Sequence, residues 1–330
     1  MPFMPSGRRA LLGAALAAPA LSLARPVLGQ GAAWPNRPIR MIVPFGAGTS
    51  TDIMTRLVTP RMSEVLGQPI VVENRPGAGG LVGSDAVAKS PPDGYNLCMG
   101  SIASHSVNQT LIRTIPYDVL RDFMPVSLVT NAPNLLVVGS QVPARTLPEF
   151  IAWAKTQRGV AYASAGNGTS SHLAGELLKL KTGAPLEHVP YRSAAQALTD
   201  VVSGQVPMTI YQVTAVLPFV RDGKLKALAA TSARRLEWTP EVPTAIEQGV
   251  ADFDVSAWHG LFAPANLPAP VLDRIYGALN TALTDTTLRP RLIEQGLEPV
   301  GMKPAEFRTF LEGDIAKWRE VIRAADIKAD

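Results

Sequence analysis

Two stretches of small and hydroxyl-bearing residues have the composition to hold an anion. The first is Phe45-Gly46-Ala47-Gly48-Thr49-Ser50-Thr51-Asp52, which follows an apolar run at 39–43. It leads into a segment with apolar residues at 53, 57, 58, 62, 65 and 66, a helical spacing. A helix capped by Thr51 would leave its first N–H groups without internal partners and turn its positive dipole end toward the loop. Small residues let a ligand oxygen approach that backbone, so the chemistry is non-covalent capture of an anion. Asp52 adds negative charge, which favours a carboxylate over a highly charged phosphate. The second stretch, Ala165-Gly166-Asn167-Gly168-Thr169-Ser170-Ser171 before His172, repeats the design after a strand-like run at 160–164. Gly166 and Gly168 permit positive φ there. Either stretch alone also reads as a tight strand-to-helix turn, whereas two of them could grip a ligand at both ends. Tyr191-Arg192-Ser193 before a helix at Ala194 is a smaller example, and the polar loop 101–106, with Ser101 and His105, ends another strand. Ligands of open α/β sheets bind beyond the carboxyl ends of strands, where all these loops lie.

Covalent chemistry fits these residues less well. Ser170 or Ser171 with His172 or His105 invites a nucleophile reading, but none of these serines sits in a GxSxG elbow, the signature of a hydrolase nucleophile on such a sheet. The four histidines, 105, 172, 188 and 259, have no metal-ligand spacing. His188, in a strand, and His259, beside Trp258, read as structural. Gly77-Ala78-Gly79-Gly80 is not a dinucleotide fingerprint, and no phosphate-binding Walker pattern occurs. The single cysteine, Cys98, can form no internal disulfide and reads as a small core residue. No catalytic residue, metal or cofactor is expected, and the chain is read as a binder rather than an enzyme.

Strand-like and helical runs alternate around these loops. Strands are expected at 39–43, 70–73, 95–100, 135–138, 160–164, 187–190, 206–211, 225–231 and 255–262. Helices are expected at 53–66 (kinked at Pro60), 82–89, 147–155, 171–181, 194–202, 268–285, 286–295 and 304–325. This alternation implies an α/β fold of mostly parallel sheets flanked by helices. One strand and three helices after residue 254 would pack back onto the first unit. Residues 34–130 plus 255–330 then form a discontinuous first domain and 131–254 a second. Crossings near 127–133 and 252–258 would make a hinge over a cleft.

Composition bounds the partners. The chain is 46% hydrophobic and 18% charged, with no low-complexity run, so it can bury a sizeable core. Its net charge of +4 owes much to Arg8, Arg9 and Arg25; without them 31 basic residues fall to 28 against 27 acidic ones. That balance gives no electrostatic case for nucleic acid or an anionic membrane surface. Arg8-Arg9, an apolar run from Ala10 to Ala24 and small residues after it describe a secretory leader at 1–29, either an ordinary or a twin-arginine signal. No cysteine follows that run to carry a lipid anchor, so an exported, unanchored protein is expected.

Many ordered segments also carry a resemblance. Among them are Trp34-Pro35-Asn36-Arg37-Pro38-Ile39-Arg40, Val43-Pro44-Phe45 with Gly48 and Thr51-Asp52, Val72-Glu73-Asn74-Arg75-Pro76-Gly77-Ala78-Gly79-Gly80, and Pro92-Asp93-Gly94-Tyr95. Tyr117-Asp118, Ser164-Ala165-Gly166, His188-Val189-Pro190-Tyr191, Pro243-Thr244 and Ala257-Trp258 follow. From about Trp34 to Ile327 the chain resembles the tripartite tricarboxylate transporter receptors, also called Bug periplasmic binding proteins. The resemblance implies a two-domain Venus-flytrap fold of the type II-like kind, a periplasmic monomer, and a small carboxylate ligand. That ligand would be a di- or tricarboxylate or an aromatic carboxylate, held by backbone N–H groups at 45–52 and 165–171. It would be delivered to the membrane subunits of a transporter or reported to a sensor kinase. Three positions depart from the family pattern. Gly48-Thr49 replaces two glycines, Arg192-Ser193-Ala194 replaces Lys-Gly-Gly, and Tyr211-Gln212 stands where an Asp and a small residue are common. Loss of that acid weakens the case for an amino-acid ligand, and Tyr211 could instead stack on a ring or donate a hydrogen bond.

Overall fold

Short apolar strands that each end in a small-residue loop set the pattern of the chain. In β1 (Ile39–Val43) only Arg40 is exposed, the near-continuous burial of a strand covered on both faces. The computed structural model describes residues 34–191 and 194–328, so the expected leader at 1–29 and the Arg192-Ser193 pair lie outside the described residues. After β1 comes α1 (Ser50–Leu66), which buries Met54, Val58, Met62 and Leu66 at a helical spacing. It remains one helix across Pro60, and Gly67, at φ 72°, closes it by donating its N–H to the Ser63 carbonyl.

The first half of the sheet pairs β1 in parallel with β2 (Ile70–Asn74) on one side and β3 (Asn96–Ser101) on the other. α1 and α2 (Leu81–Ala88) make the connections. The expected polar loop after β3 is helical instead. A π-turn at Ala103–Val107 runs into α3 (Asn108–Leu111), because the hydroxyls of 101–106 turn inward and Ser104 Oγ accepts from the Ser101 N–H. A one-turn helix, α4 (Val119–Asp122), follows, capped by the Asp118 side chain.

β4 (Phe123–Gly139) is the largest departure from expectation: 17 residues, where the sequence suggests a strand at 135–138 alone. Pro125 and Pro133 interrupt its strand signal. The ladder absorbs them because Pro125 borders an irregularity in register and Pro133 stands where β4 changes partners. β4 pairs antiparallel with β9 (Ser256–Pro264) from Phe123 to Pro133. From Asn134 onward it pairs antiparallel with β7 (Met208–Gln212) and β8 (Leu225–Ala230). The second half repeats the first: β5 (Val160–Ser164) is parallel to β6 (Leu186–Pro190) and β7. α5 (Leu147–Lys155) precedes β5, while α6 (Ser170–Thr182), α7 (Ala194–Val202) and α8 (Val213–Arg221) link its strands. One sheet thus runs β2-β1-β3-β9-β4-β7-β5-β6. It is mixed, parallel within each half and antiparallel where β4 and β9 cross.

The remaining chain returns to the first half. α9 (Ala269–Leu283) and α10 (Leu288–Glu294) pack on α1, and β10 (Glu298–Pro299) pairs with β4. α11 (Pro304–Ala324) lies on β4 and α3 and reaches α6. A contiguous apolar core runs under both halves, from Ile42 and Cys98 through Phe262, Trp258 and Phe307 to Tyr162 and Leu173. Two further clusters fill the opposite faces of the halves. Where the crossings meet, Asn134, Thr231 and Val255 form a buried knot. Thr231 Oγ1 donates to the Val255 carbonyl at 2.5 Å, and the Val255 N–H donates to the Thr231 carbonyl at 2.8 Å.

Candidate functional site

The two anion-type loops have the same local structure. Gly48 and Gly168 adopt φ of 81° and 72°, a region only glycine enters freely. Each is followed by a threonine in extended backbone, Thr49 or Thr169, which is the true N-cap; the expectation of Thr51 as cap is corrected by two residues. Thr49 Oγ1 donates to the Gly46 carbonyl at 2.8 Å and accepts from the Asp52 N–H; Thr169 Oγ1 donates to the Gly166 carbonyl at 2.7 Å and accepts from the His172 N–H. The third helical side chain reaches back in both. Asp52 Oδ2 accepts from the Gly48 N–H at 2.9 Å, and His172 Nδ1 accepts from the Gly168 N–H at 3.1 Å. The N–H groups of Ser50, Thr51, Ser170 and Ser171 have no acceptor inside their own helices.

Asp52 therefore serves the loop rather than the cavity. Its carboxylate also accepts from Arg56 Nε at 3.0 Å and Asn74 Nδ2 at 2.9 Å. Burial pushes its pKa up, but the bonds from Gly48, Arg56 and Asn74 outweigh this and hold it below the usual carboxylate range. The negative charge expected to repel phosphate is thus answered by Arg56.

Both helix N-termini open into one cavity of about 510 Å³. Phe45, Thr49, Ser50 and Thr51 line it from the first loop, and Ala165, Thr169, Ser170 and Ser171 from the second. Ser101 and Tyr211 complete the expected residues that reach it. Among the described residues no lining side chain is an acid, a lysine or an arginine. His259 is held neutral by burial, which lowers its pKa to about 4. The polar surface is hydroxyl, amide and backbone N–H, and the rest is apolar or aromatic.

Several expected residues lie elsewhere. Gly46, Ala47, Gly48, Gly166, Asn167 and Gly168 shape the loops without lining the cavity. His105 is sealed in the core, stacked on Phe262 at 3.9 Å with its Nδ1 2.8 Å from Ser104 Oγ. Tyr191 points away, its hydroxyl donating to Asp200 Oδ2 at 2.7 Å. Eight lining residues were missed: Ile102, Ala103, Asn134, Gln212, Ala215, Ala257, Trp258 and His259. Most come from the crossing strands and from the junctions after β3 and β7. β9 itself was expected at 255–262; the Ala257-Trp258 pair within it was the signal that could have brought these residues into the site.

A Ser171 nucleophile is not assembled. Ser171 Oγ accepts from the Ala165 N–H at 3.1 Å and pairs with Thr169 Oγ1 at 3.0 Å, while the His172 ring stacks on His188 at 3.8 Å. One serine–histidine pair does line the cavity, Ser50 Oγ and His259 Nε2 at 3.2 Å. The other ring nitrogen of His259 meets the Thr130 hydroxyl, not a carboxylate that could stabilise an imidazolium. Among the described residues no group of three or more His, Cys, Asp or Glu could hold a metal ion, and no helix is long and apolar enough to cross a membrane.

Known proteins share this arrangement of the chain. A family profile described as "Tripartite tricarboxylate transporter family receptor" matches residues 54–327. Protein BugT of Bordetella pertussis is 38% identical over 297 residues, covering 89% of this chain and 91% of its own. Among solved structures, R. palustris Rpa4515 with adipate superposes with a TM-score of 0.77 at 33% identity, covering 89% of this chain and 99% of that one. MatC from Rhodopseudomonas palustris with bound malate gives a TM-score of 0.73 at 34% identity, covering 87% and 99%.

Proposed function

The chain belongs to the tripartite tricarboxylate transporter family of receptors, and from that premise we propose that it captures a small carboxylate in the 510 Å³ cavity and delivers it to the membrane subunits of such a transporter. The observation that carries this reading is the pair of matching helix N-termini, α1 and α6, opening onto one cavity whose walls, among the described residues, hold no acid, lysine or arginine. Each terminus offers unpaired N–H donors and about half a positive charge, enough for one carboxylate and too little for a polyphosphate. Phe45, Ile102, Tyr211, Ala215 and Trp258 supply apolar and aromatic walls for the body of the ligand. A dicarboxylate spanning both termini, or an aromatic acid anchored at one, satisfies this wall chemistry best. The malate and adipate held by its structural relatives belong to the first class.

Capture without chemistry fits the site. The Thr49, Thr169 and Ser171 hydroxyls are engaged in capping or bracing, among the described residues Ser50 meets only His259, and the neutral His259 ring has no acid behind it. In this reading residues 1–29 are the export signal, the mature chain works as a periplasmic monomer, and the two crossings at 133–134 and 255–256 are the hinge between domains 34–130 plus 255–330 and 131–254. Closure is then a population shift driven by contacts that the ligand makes with both loops at once. The test is a thermal-shift screen of the refolded mature chain against C4–C6 dicarboxylates, citrate and aromatic acids. A ligand present at about 100 times its Kd adds about 2.7 kcal/mol of stability, which is readily measured. A shift confined to one carboxylate class supports the reading and names the class. No shift with any carboxylate overturns it.

A further inference from the structure

Behind the first loop lies a chain of three side chains from three separate elements. Ser50, half-buried at the start of α1, faces the cavity. His259 of β9 is 1% exposed, with Nε2 3.2 Å from Ser50 Oγ and Nδ1 2.9 Å from Thr130 Oγ1. Thr130 of β4 is wholly buried, and among the described residues its hydroxyl meets no other acceptor. Burial keeps the ring neutral, so it has one N–H donor and one bare acceptor nitrogen.

The two tautomers are not equivalent. With the proton on Nδ1, the ring donates to Thr130 and the Thr130 O–H is left buried without an acceptor, which is costly. Ser50 must then donate back to Nε2 and has no proton for the cavity. With the proton on Nε2, every donor is used in one direction. Thr130 donates to Nδ1, Nε2–H donates to Ser50 Oγ, and the Ser50 proton is free to point outward. We infer that Thr130 and His259 form a buried relay that fixes the Ser50 hydroxyl as a donor to a ligand carboxylate at the N-terminus of α1. His259 is then a positioning residue that tilts the cavity toward the carboxylate and against its neutral amide. The inference rests on the carboxylate reading of the cavity for its ligand, but the ring tautomer stands independently of any ligand.

The experiment has two arms. Nitrogen-15 NMR of the full mature chain labelled at histidine, with His259 assigned by its loss in His259→Gln, reads the tautomer directly. A protonated Nε2 is expected, and a protonated Nδ1 overturns the relay. Calorimetry with adipate and malate, each beside its diamide, reads the consequence. Ser50→Ala and His259→Leu should each weaken carboxylate binding about 10-fold and the diamides clearly less, since an amide carbonyl accepts only an uncharged hydrogen bond from Ser50. The pair together should be no weaker than Ser50→Ala alone, because they remove one interaction. His259→Gln, which can still donate toward Ser50, should recover most of the loss and carries the test if the leucine variant does not fold. Additive losses, or equal losses for acid and diamide, overturn the inference. Failure of the wild type to bind any carboxylate sinks the proposed function and the ligand half of this inference. The wrong tautomer with carboxylate binding intact sinks the relay alone.

Discussion

At the scale of single residues, the neighbours of a polar side chain decide whether it faces the cavity or braces the loop behind it. Ser50, Thr51, Ser170 and Ser171 line the cavity as their loop positions suggest. Asp52 and His105 are polar residues in the right segments whose side chains turn inward, and no composition rule separates the two outcomes. Asp52 is the clearest case, because its carboxylate gathers Gly48, Arg56 and Asn74 into one brace. Asp52→Asn keeps the shape but loses the charge, and its amide cannot serve all three donors. We expect a loss of about 1–3 kcal/mol at pH 7, measured by urea unfolding. The native carboxyl is held below its usual range, so its contribution is full above about pH 4 and fades as pH falls through the native value. Wild type and variant should therefore converge as the pH falls below the native value. A gap that stays constant with pH would mean that the charge is not what holds the loop.

At the scale of elements, the strands β1 and β5 and the helices α5 and α7 stand where their residue patterns put them. They are short, uniformly apolar or clearly amphipathic, and bounded by Gly, Pro or a cap. β4 was legible only in its last third, since two prolines and a change of partner erase any single period along its 17 residues. The crossings were expected near 127–133 and 252–258, but as a hinge rather than as paired strands, so the side chains that β4 and β9 turn into the cavity could not be picked out. The paired loops permit a controlled comparison. An added Cβ at Gly48 meets nothing within 4 Å, whereas at Gly168 it lies 2.9 Å from Leu111 Cδ2. Both substitutions force alanine into left-handed backbone, at about 1–2 kcal/mol. Gly168→Ala should therefore destabilise more than Gly48→Ala, the excess coming from displacement of Leu111. Thermal unfolding of the two variants decides this, and equal losses would show that the Leu111 side chain yields freely.

At the scale of the molecule, the alternation of strands and helices predicted an α/β fold and the resemblance a binding-protein one, but neither implied that one core would run under both halves of the sheet. That core encloses neutral histidines in distinct surroundings, which ties stability to pH. Burial lowers the pKa of His105 and of His172 to about 3, with the neighbouring His188 adding to the effect at His172, and that of His259 to about 4. In the unfolded chain each ring titrates near 6.5. The native state thus binds fewer protons than the unfolded one between about pH 4 and 6.5, so stability rises with pH through that window and levels off above it. At pH 5 each ring removes about 2 kcal/mol relative to pH 8 if its native value lies below 4. Asp254, Glu298 and Asp314 act in the opposite sense, since burial raises their pKa values and the native state holds their protons more tightly. A raw pH profile therefore mixes both effects, and a single-ring variant separates them. His172→Gln can still accept from the Gly168 N–H through its amide oxygen and cannot titrate. Urea unfolding at pH 8 and pH 5 should show the variant losing about 2 kcal/mol less than wild type over that interval. Parallel losses in the two proteins would mean that His172 is protonated in the native state near pH 5, despite its burial beneath the half-buried His188 ring.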